Sequence, residues 1–174
     1  GDIHLCINMQ HTKRSIRRER HLMPTIDDII ADLNGAQWFS KLHLNARYHQ
    51  LELDQASRYI TTFSTHLGLR RYKRLNFGIS SATEVIQNIM RETLSGLDGV
   101  LHISDDILIY WTILDGHHTR LIATLARLAI QGVTLHRCTC SLLESAIVFI
   151  GLVFSKSGPA KGQHLRTQQK LEAS

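Results

Sequence analysis

The chain has 174 residues, 43% of them hydrophobic, and a formal net charge of +5. This composition excludes a disordered segment and supports one domain with its own core. The longest apolar run, residues 146–154, is too short to span a bilayer, so no membrane partner is expected. Three cysteines cannot all pair within the chain, so we expect an intracellular protein, in the cytoplasm or the nucleus. Because the chain begins with Gly1, it is expected to be a piece of a longer product.

Apolar periodicity and turn residues predict helices mixed with strands. The predicted helices cover residues 25–33, 81–94 and 117–130. Thr25 is the expected N-cap of the first helix, where Asp28 completes a capping box, and Gly132 is the expected C-terminal cap of the last. The predicted strands cover residues 3–9, 38–44, 50–53, 58–64, 69–75 and 146–155. This order with antiparallel hairpins predicts an α+β fold.

Two adjacent acids, Asp105 and Asp106, interrupt a β-rich segment at residues 100–110. The pattern predicts a hairpin with both carboxylates at its tip. A pair of this kind is usually a solvated turn. At the end of a buried hairpin, however, adjacent carboxylates are best tolerated when they share a cation, and oxygen ligands suit Mg²⁺ or Mn²⁺.

Basic residues are concentrated in two clusters, which are either solvated edges or contacts to a polyanion. The first comprises Lys13, Arg14, Arg17, Arg18 and Arg20. The second comprises Arg70, Arg71, Lys73 and Arg74.

Five segments, in the same order along the chain, resemble the reverse transcriptases of gypsy-class LTR retrotransposons. They are residues 23–28 (MPTIDD), 39–50 (FSKLHLNARYHQ), 77–82 (FGISSA), 103–110 (ISDDILIY) and 149–151 (FIG). The resemblance implies an RNA-directed DNA polymerase with a right-hand palm around an antiparallel sheet, partial fingers and no thumb. Residues 1–155 would form the palm and partial fingers, and residues 156–174 would be a polar tail that starts the connection towards a thumb.

The resemblance also implies ligands and site residues. The partners would be an RNA template, a DNA primer and deoxynucleoside triphosphates, with Mg²⁺ or Mn²⁺ as cofactor. Asp105 and Asp106 would be catalytic and would bind the metal, and His43 stands at the position of the family's third catalytic aspartate. The nucleotide-binding positions would be Tyr48, Phe77, Gly78 and His4, the last in place of an arginine. The nucleic-acid-binding positions would be Arg70, Arg71, Lys73, Arg74, Gln87 and Gly151.

Departures from the family pattern point to lost activity. His43 removes a negative charge and offers nitrogen in place of oxygen, which we expect to cost at least about 4 kcal/mol of transition-state stabilisation. Arg47 stands where the family has a glycine before the tyrosine. Tyr48 itself has a second interpretation, as a tyrosine of the hydrophobic core. The chain is thus expected to be an inactive polymerase fragment. The alternatives are a remnant that only binds nucleic acid, and an unrelated α+β domain.

Overall fold

A computed structural model describes residues 24–79 and 81–161 of the chain. The predicted strand at residues 3–9, which includes His4, lies outside the described residues. The chain divides into two compact units. Unit 1 is described over residues 45–79 and 81–92, and unit 2 over residues 24–44 and 93–161. Within the described residues, no helix is both long and apolar enough to cross a bilayer.

Both units combine helices with antiparallel strands. The helices are α1 (Ile26–Asp32), α2 (Gln55–Arg58), α3 (Ala82–Thr93) and α4 (Leu114–Ile130). The strands are β1 (Trp38–His43), β2 (Phe63–Thr65), β3 (Gly68–Arg70), β4 (Val100–Ile103), β5 (Asp106–Trp111), β6 (Ser141–Glu144), β7 (Ala146–Phe149), β8 (Leu152–Ser155) and β9 (Gly158–Lys161). Short 3-10 turns cover Arg47–Gln50, Tyr59–Thr61 and Arg137–Thr139.

Unit 2 is built on a four-stranded antiparallel sheet with strand order β4-β5-β1-β6. Side chains alternate between the two faces, so Phe39 of β1 and Leu108 of β5 share one face. A helix and a second sheet cover this face. The core there comprises Ile29, Leu33, Ala36, Phe39, Leu108, Ile147, Phe149 and Phe154, from α1 and its flank, β1, β5, β7 and β8. Because β1 is paired on both sides, its C-terminal end at His43 is held within the sheet.

The predicted capping box is present at α1. The Thr25 side chain accepts from the Asp28 N–H at 3.2 Å, and the Asp28 carboxylate accepts from the Thr25 N–H at 2.9 Å. These two hydrogen bonds satisfy donors that the first turn of a helix leaves open. The Thr25 hydroxyl also donates to Asp28 Oδ2 at 2.6 Å, and this bond, followed by the one from the Thr25 N–H, holds the pKa of the Asp28 carboxyl below its usual value.

Helix α4 packs against β5 with a stripe at helical spacing: His117, Leu121, Thr124 and Leu128 are buried. His117 is fully buried, and this burial lowers the pKa of its imidazole. The helix begins three residues before its predicted start. Gly132 follows it with φ +69°, which confirms the predicted C-terminal cap.

In unit 1 the predicted strand at residues 50–53 is wrong, and the one at residues 58–64 is largely wrong. The alternation of leucines around Glu52 suggested a strand, but Glu52 forms only an isolated bridge with Arg74. The Asp54 side chain then accepts from the Ser57 N–H at 2.8 Å and starts α2 instead. Strand structure resumes only at β2, and the strand predicted at residues 69–75 shortens to β3.

The strand predicted at residues 146–155 is instead two strands joined by Ile150 and Gly151. Both residues have positive φ, at 47° and 81°, which is the signature of a type I′ hairpin turn. A glycine inside an apolar run marked the turn. Strands β6 and β9 were not predicted, because their short segments carry no alternation. The helix at residues 81–94 and the strand at residues 38–44 are confirmed within a residue or two by α3 and β1.

Candidate functional site

The two adjacent acids lie at the tip of the β4–β5 hairpin, as the sequence predicts. Ile103 pairs with Asp106, so Ser104 and Asp105 form a two-residue loop and Asp106 begins β5. Ser104 has φ +59°, a conformation that favours glycine. The tight loop fixes both carboxylates on one short piece of backbone.

His43 lies directly across the sheet from Asp106. Its Nδ1 is 2.7 Å from Asp106 Oδ1, so the ring and the carboxylate form a hydrogen-bonded pair, and a charged pair when the ring is protonated. Both side chains are about one-third exposed, at 35% and 34%. A pair this accessible to water adds only about 0–1 kcal/mol to stability. The pair matters for the chemistry of the site, because the hydrogen bond to the imidazole engages one of the two oxygens of the Asp106 carboxylate.

Hydrogen bonds made by its own backbone N–H and carbonyl hold His43 at this place. Its N–H donates to Cys140 Sγ at 3.4 Å, and its carbonyl accepts from the His136 N–H at 2.8 Å. The next residue, Leu44, donates its N–H to the Asp105 carbonyl at 2.8 Å. The backbone of residues 43–44 is therefore tied both to the hairpin loop and to the segment that precedes β6.

The donor set does not fit a two-Mg²⁺ site. Across residues 24–79 and 81–161, no group of three or more His, Cys, Asp or Glu side chains could hold a metal ion. Mg²⁺ takes oxygen ligands in near-octahedral geometry. Beside this hairpin, His43 offers an imidazole nitrogen where the resemblance implies a third carboxylate. Asp106 Oδ1 already accepts a hydrogen bond from that nitrogen. Metal binding by Asp105 and Asp106 stays a prediction.

In unit 1, Tyr48 is buried, with 6% of its surface exposed. Its hydroxyl lies 2.9 Å from Thr83 Oγ1, and its ring meets the Phe77 ring edge to face, with centroids 4.7 Å apart. The Arg47 guanidinium donates to the same hydroxyl at 2.6 Å and lies 4.4 Å from the centre of the Tyr48 ring. The tyrosine is thus enclosed by three side chains of its own unit.

The contact between Arg47 and Tyr48 could not be predicted, because the two residues lie between the strands predicted at residues 38–44 and 50–53, where no periodic pattern applies. These two residues begin a 3-10 turn, preceded by Ala46 with φ +43°. The turn lets neighbouring side chains meet. The available signal was the arginine itself, at a position where the resembling family has glycine.

The second basic cluster divides by geometry. Arg74 is engaged within its unit: it donates to the carbonyls of His49 and Gln50 at 3.0 and 3.2 Å and pairs with Glu52 at 3.1 Å. The other three members, Arg70, Arg71 and Lys73, are exposed, and Arg70 donates to the carbonyl of its neighbour Leu69 at 3.5 Å. The Arg71 guanidinium lies 3.9 Å from the centre of the Tyr59 ring.

The remaining predicted positions are scattered. Phe77 is exposed beside Tyr48, and Gly78 follows it with φ +93°. Gln87 is half-buried on α3, and Gly151 lies in the β7–β8 turn rather than within a strand. His4 lies outside the described residues. Unit 2 thus brings together His43, Asp105 and Asp106, and unit 1 brings together Tyr48 and Phe77.

Comparisons with known proteins identify the fold and the family. Residues 4–154 match the family model described as reverse transcriptase (RNA-dependent DNA polymerase). The chain is 32% identical over 151 residues to the retrovirus-related Pol polyprotein from transposon 412 of Drosophila melanogaster, with 84% of this chain and 12% of that protein covered. It is 26% identical over 156 residues to the corresponding polyprotein from transposon gypsy of the same organism, covering 88% and 15%.

A solved structure of the foamy viral protease-reverse transcriptase in complex with double-stranded DNA superposes with a TM-score of 0.83 at 16% identity, covering 96% of this chain and 29% of that one. This likeness confirms the α+β polymerase fold with palm and partial fingers. The chain spans only about an eighth of the transposon polyproteins. It belongs to the reverse transcriptase (RNA-dependent DNA polymerase) family, as a domain of the kind found in LTR retrotransposon polyproteins.

Proposed function

We propose that this chain is a reverse transcriptase domain that binds nucleic acid and does not catalyse nucleotidyl transfer. The observation that carries the proposal is the 2.7 Å contact between His43 Nδ1 and Asp106 Oδ1. In the resembling family three aspartates hold two metal ions at this place. Here one of the three positions is His43, and its imidazole is hydrogen-bonded to a carboxylate oxygen of Asp106, which stands at a second position.

The change alters both charge and ligand type. Replacing a carboxylate by an imidazole at the end of β1 removes one negative charge and one oxygen ligand from the site beside the hairpin tip. A two-metal site would stabilise the attacking and leaving oxygens together, so the loss of one carboxylate ligand would weaken both effects. A loss of about 4 kcal/mol of transition-state stabilisation corresponds to about a thousandfold in rate.

Arg47 supports the same proposal from the nucleotide side. By resemblance, Tyr48 with Phe77 and Gly78 would bind the sugar of a deoxynucleoside triphosphate. The family's arginine that binds the phosphates is replaced in this chain by His4. The Arg47 guanidinium covers the Tyr48 ring and donates to its hydroxyl. A nucleotide would have to displace this guanidinium before its sugar could reach the ring.

Charge supports the binding part of the proposal. Arg70, Arg71 and Lys73 are exposed on unit 1 and free to approach phosphate groups. Phosphate contacts dominate nucleic-acid affinity and need no metal site. Foamy viral protease-reverse transcriptase has been solved with double-stranded DNA and with an RNA/DNA hybrid. For this chain we propose an RNA template and a DNA primer as partners, with Gln87 and Gly151 as further contacts.

The proposal also covers organisation and location. By resemblance, we assign residues 1–155 to the palm and partial fingers and residues 156–174 to the start of a connection towards a thumb. Strand β9 pairs with β8 across this boundary, so the connection starts as part of the β7-β8-β9 sheet. We place the protein inside the cell, where the free thiols of Cys138 and Cys140 stay reduced.

The test measures binding and synthesis separately on the 174-residue chain. Fluorescence anisotropy with a labelled RNA–DNA primer–template should show salt-dependent binding, and primer extension with Mg²⁺ or Mn²⁺ should show no product. The double variant Arg70→Ala, Arg71→Ala should weaken binding more than the charge-matched Arg17→Ala, Arg18→Ala. Steady incorporation that is lost on Asp105→Asn would overturn the proposal, and so would the absence of binding.

A further inference from the structure

The fold gathers positive charge in one part of unit 1. Between Asp54 and Glu84 the chain contains five basic residues and no acidic one. This segment includes α2, the following 3-10 turn and the β2–β3 hairpin. Any partner that binds here therefore gains from negative charge.

An aromatic side chain stands within this positive segment. Tyr59 opens the 3-10 turn with 58% of its surface exposed, which is unusual for so large an apolar ring. The Arg71 guanidinium lies 3.9 Å from the centre of the ring and is itself exposed. The pair presents a cation-backed aromatic surface to solvent.

A buried threonine fixes this pair. Thr61 is 1% exposed, and its hydroxyl donates to the Arg58 carbonyl at 2.8 Å. The same oxygen accepts from the Tyr72 N–H at 3.1 Å. Thr61 therefore joins the turn that carries Tyr59 to the residue after Arg71. The two backbone segments that carry the ring and the guanidinium are thus held beside each other before any partner arrives, which lowers the entropy cost of binding.

Neighbouring residues supply charge and further exposed apolar surface. Arg70 and Lys73 flank Arg71 and are exposed, whereas Arg74 is occupied by Glu52 and two carbonyls. Leu69, beside Arg70 on β3, is 68% exposed. The surface thus combines one ring, one backing guanidinium and two accessible cations.

We propose that Tyr59, backed by Arg71, stacks on an unpaired base of a single-stranded polynucleotide, while Arg70 and Lys73 contact the adjacent phosphates. Proteins that bind single strands combine stacking rings with a positive surface in this way. A duplex hides its base faces and offers only phosphates. The inference rests on the proposed nucleic-acid binding and goes further, because it assigns a strand preference and the residue that creates it.

The experiment compares a labelled oligo-uridine, oligo-thymidine and a duplex of equal length by fluorescence anisotropy, over several salt concentrations. Tyr59→Ala should weaken single-strand binding by about 5- to 100-fold and leave duplex binding almost unchanged. Tyr59→Phe should keep the single-strand affinity, since the ring remains. Arg70→Ala should weaken both and reduce the salt slope by about 1.

Two controls separate stacking from charge and apolar contact. Leu69→Ala removes an even more exposed apolar side chain that cannot stack, and it should have little effect. Arg71→Lys keeps the charge and loses the flat guanidinium, and it should weaken single-strand binding selectively. A poly-glutamate peptide should compete only weakly at matched charge.

The outcomes are distinct. Single-strand binding that is lost in Tyr59→Ala and kept in Tyr59→Phe supports the inference. Binding that does not change in Tyr59→Ala, or equal losses for duplex and single strand, overturns it and leaves the proposed function intact. Tight binding of poly-glutamate with the same dependence on Tyr59 also overturns it, in favour of an acidic protein partner. No binding of any polynucleotide overturns both.

Discussion

Replacing His43 by aspartate should make the stability of unit 2 depend on Mg²⁺. The imidazole lies 2.7 Å from Asp106 Oδ1, across an antiparallel pair, so the new carboxylate would face Asp106 directly. Cross-strand partners lie about 5 Å apart, and two like charges at that distance with this degree of water exposure repel by about 1–2 kcal/mol. Without a divalent cation, the free energy of unfolding of His43→Asp should fall by that amount.

Mg²⁺ should reverse this loss in the variant. A ligand that binds only the folded state adds about 2.7 kcal/mol at a hundred times its dissociation constant. The wild-type chain, whose imidazole hydrogen-bonds to one of the carboxylates, should gain little. The measurement is urea unfolding at fixed pH and matched ionic strength, with Mg²⁺ exchanged for Na⁺.

His43→Asn is the matched control. It removes the imidazole without adding charge, so it should lose only the weak pair with Asp106 and should not respond to Mg²⁺. Identical Mg²⁺ dependence of the wild type and His43→Asp would refute the reasoning, because position 43 would then not share a site with Asp105 and Asp106. An equal destabilisation of the Asn and Asp variants would show that charge repulsion is not the cause.

Three further predictions concern strain, protonation and the nucleotide face. Ile150→Asn should raise the free energy of unfolding by about 1 kcal/mol, because asparagine tolerates the left-handed conformation and a β-branched side chain does not; the denaturation midpoint measures this, and Ile150→Val should bring no gain. Burial holds the pKa of His117 below its ordinary value of 6.5, so its contribution to stability is present above that pH and is lost as pH falls below it. Urea unfolding at several pH values should show this loss, and a pH dependence unchanged in His117→Gln would contradict it. Arg47→Gly should raise the affinity for deoxynucleoside triphosphates at least about fivefold in calorimetry, because no guanidinium then has to leave the tyrosine ring; equal affinities would show that Arg47 does not obstruct the site.

Local rules predicted the parts of the fold where they act alone. The capping box at Thr25 and the tight loop at Asp105 depend on residues three or fewer positions apart, and both are confirmed. Asp54 shows the limit of such rules. Its side chain caps α2, a helix directly after the leucines whose alternation predicted a strand. A single capping contact of this kind leaves no periodic pattern in the sequence.

The candidate site divides in the same way. That His43 lies across from Asp106 follows from placing the first palm strand beside the hairpin, which the motif order implied. The closure of Arg47 over Tyr48 depends on a 3-10 turn that follows a left-handed alanine, and apolar periodicity carries no information on such a turn. Likewise, only the structure shows which arginines of the second basic cluster are already occupied, as Arg74 is.

The way His43 is held has an evolutionary consequence. Its hydrogen bonds to the segment before β6 come from the main chain, which every residue except proline can supply, and its side-chain pair with Asp106 is partly in water. A change of side chain at residue 43 is therefore expected to alter the free energy of unfolding by no more than about 1–2 kcal/mol. If position 43 once held the aspartate that the family resemblance implies, its replacement by histidine would have left a chain that still folds. Because one nucleotide change converts a histidine codon into an aspartate codon, a single mutation would place a carboxylate at this position.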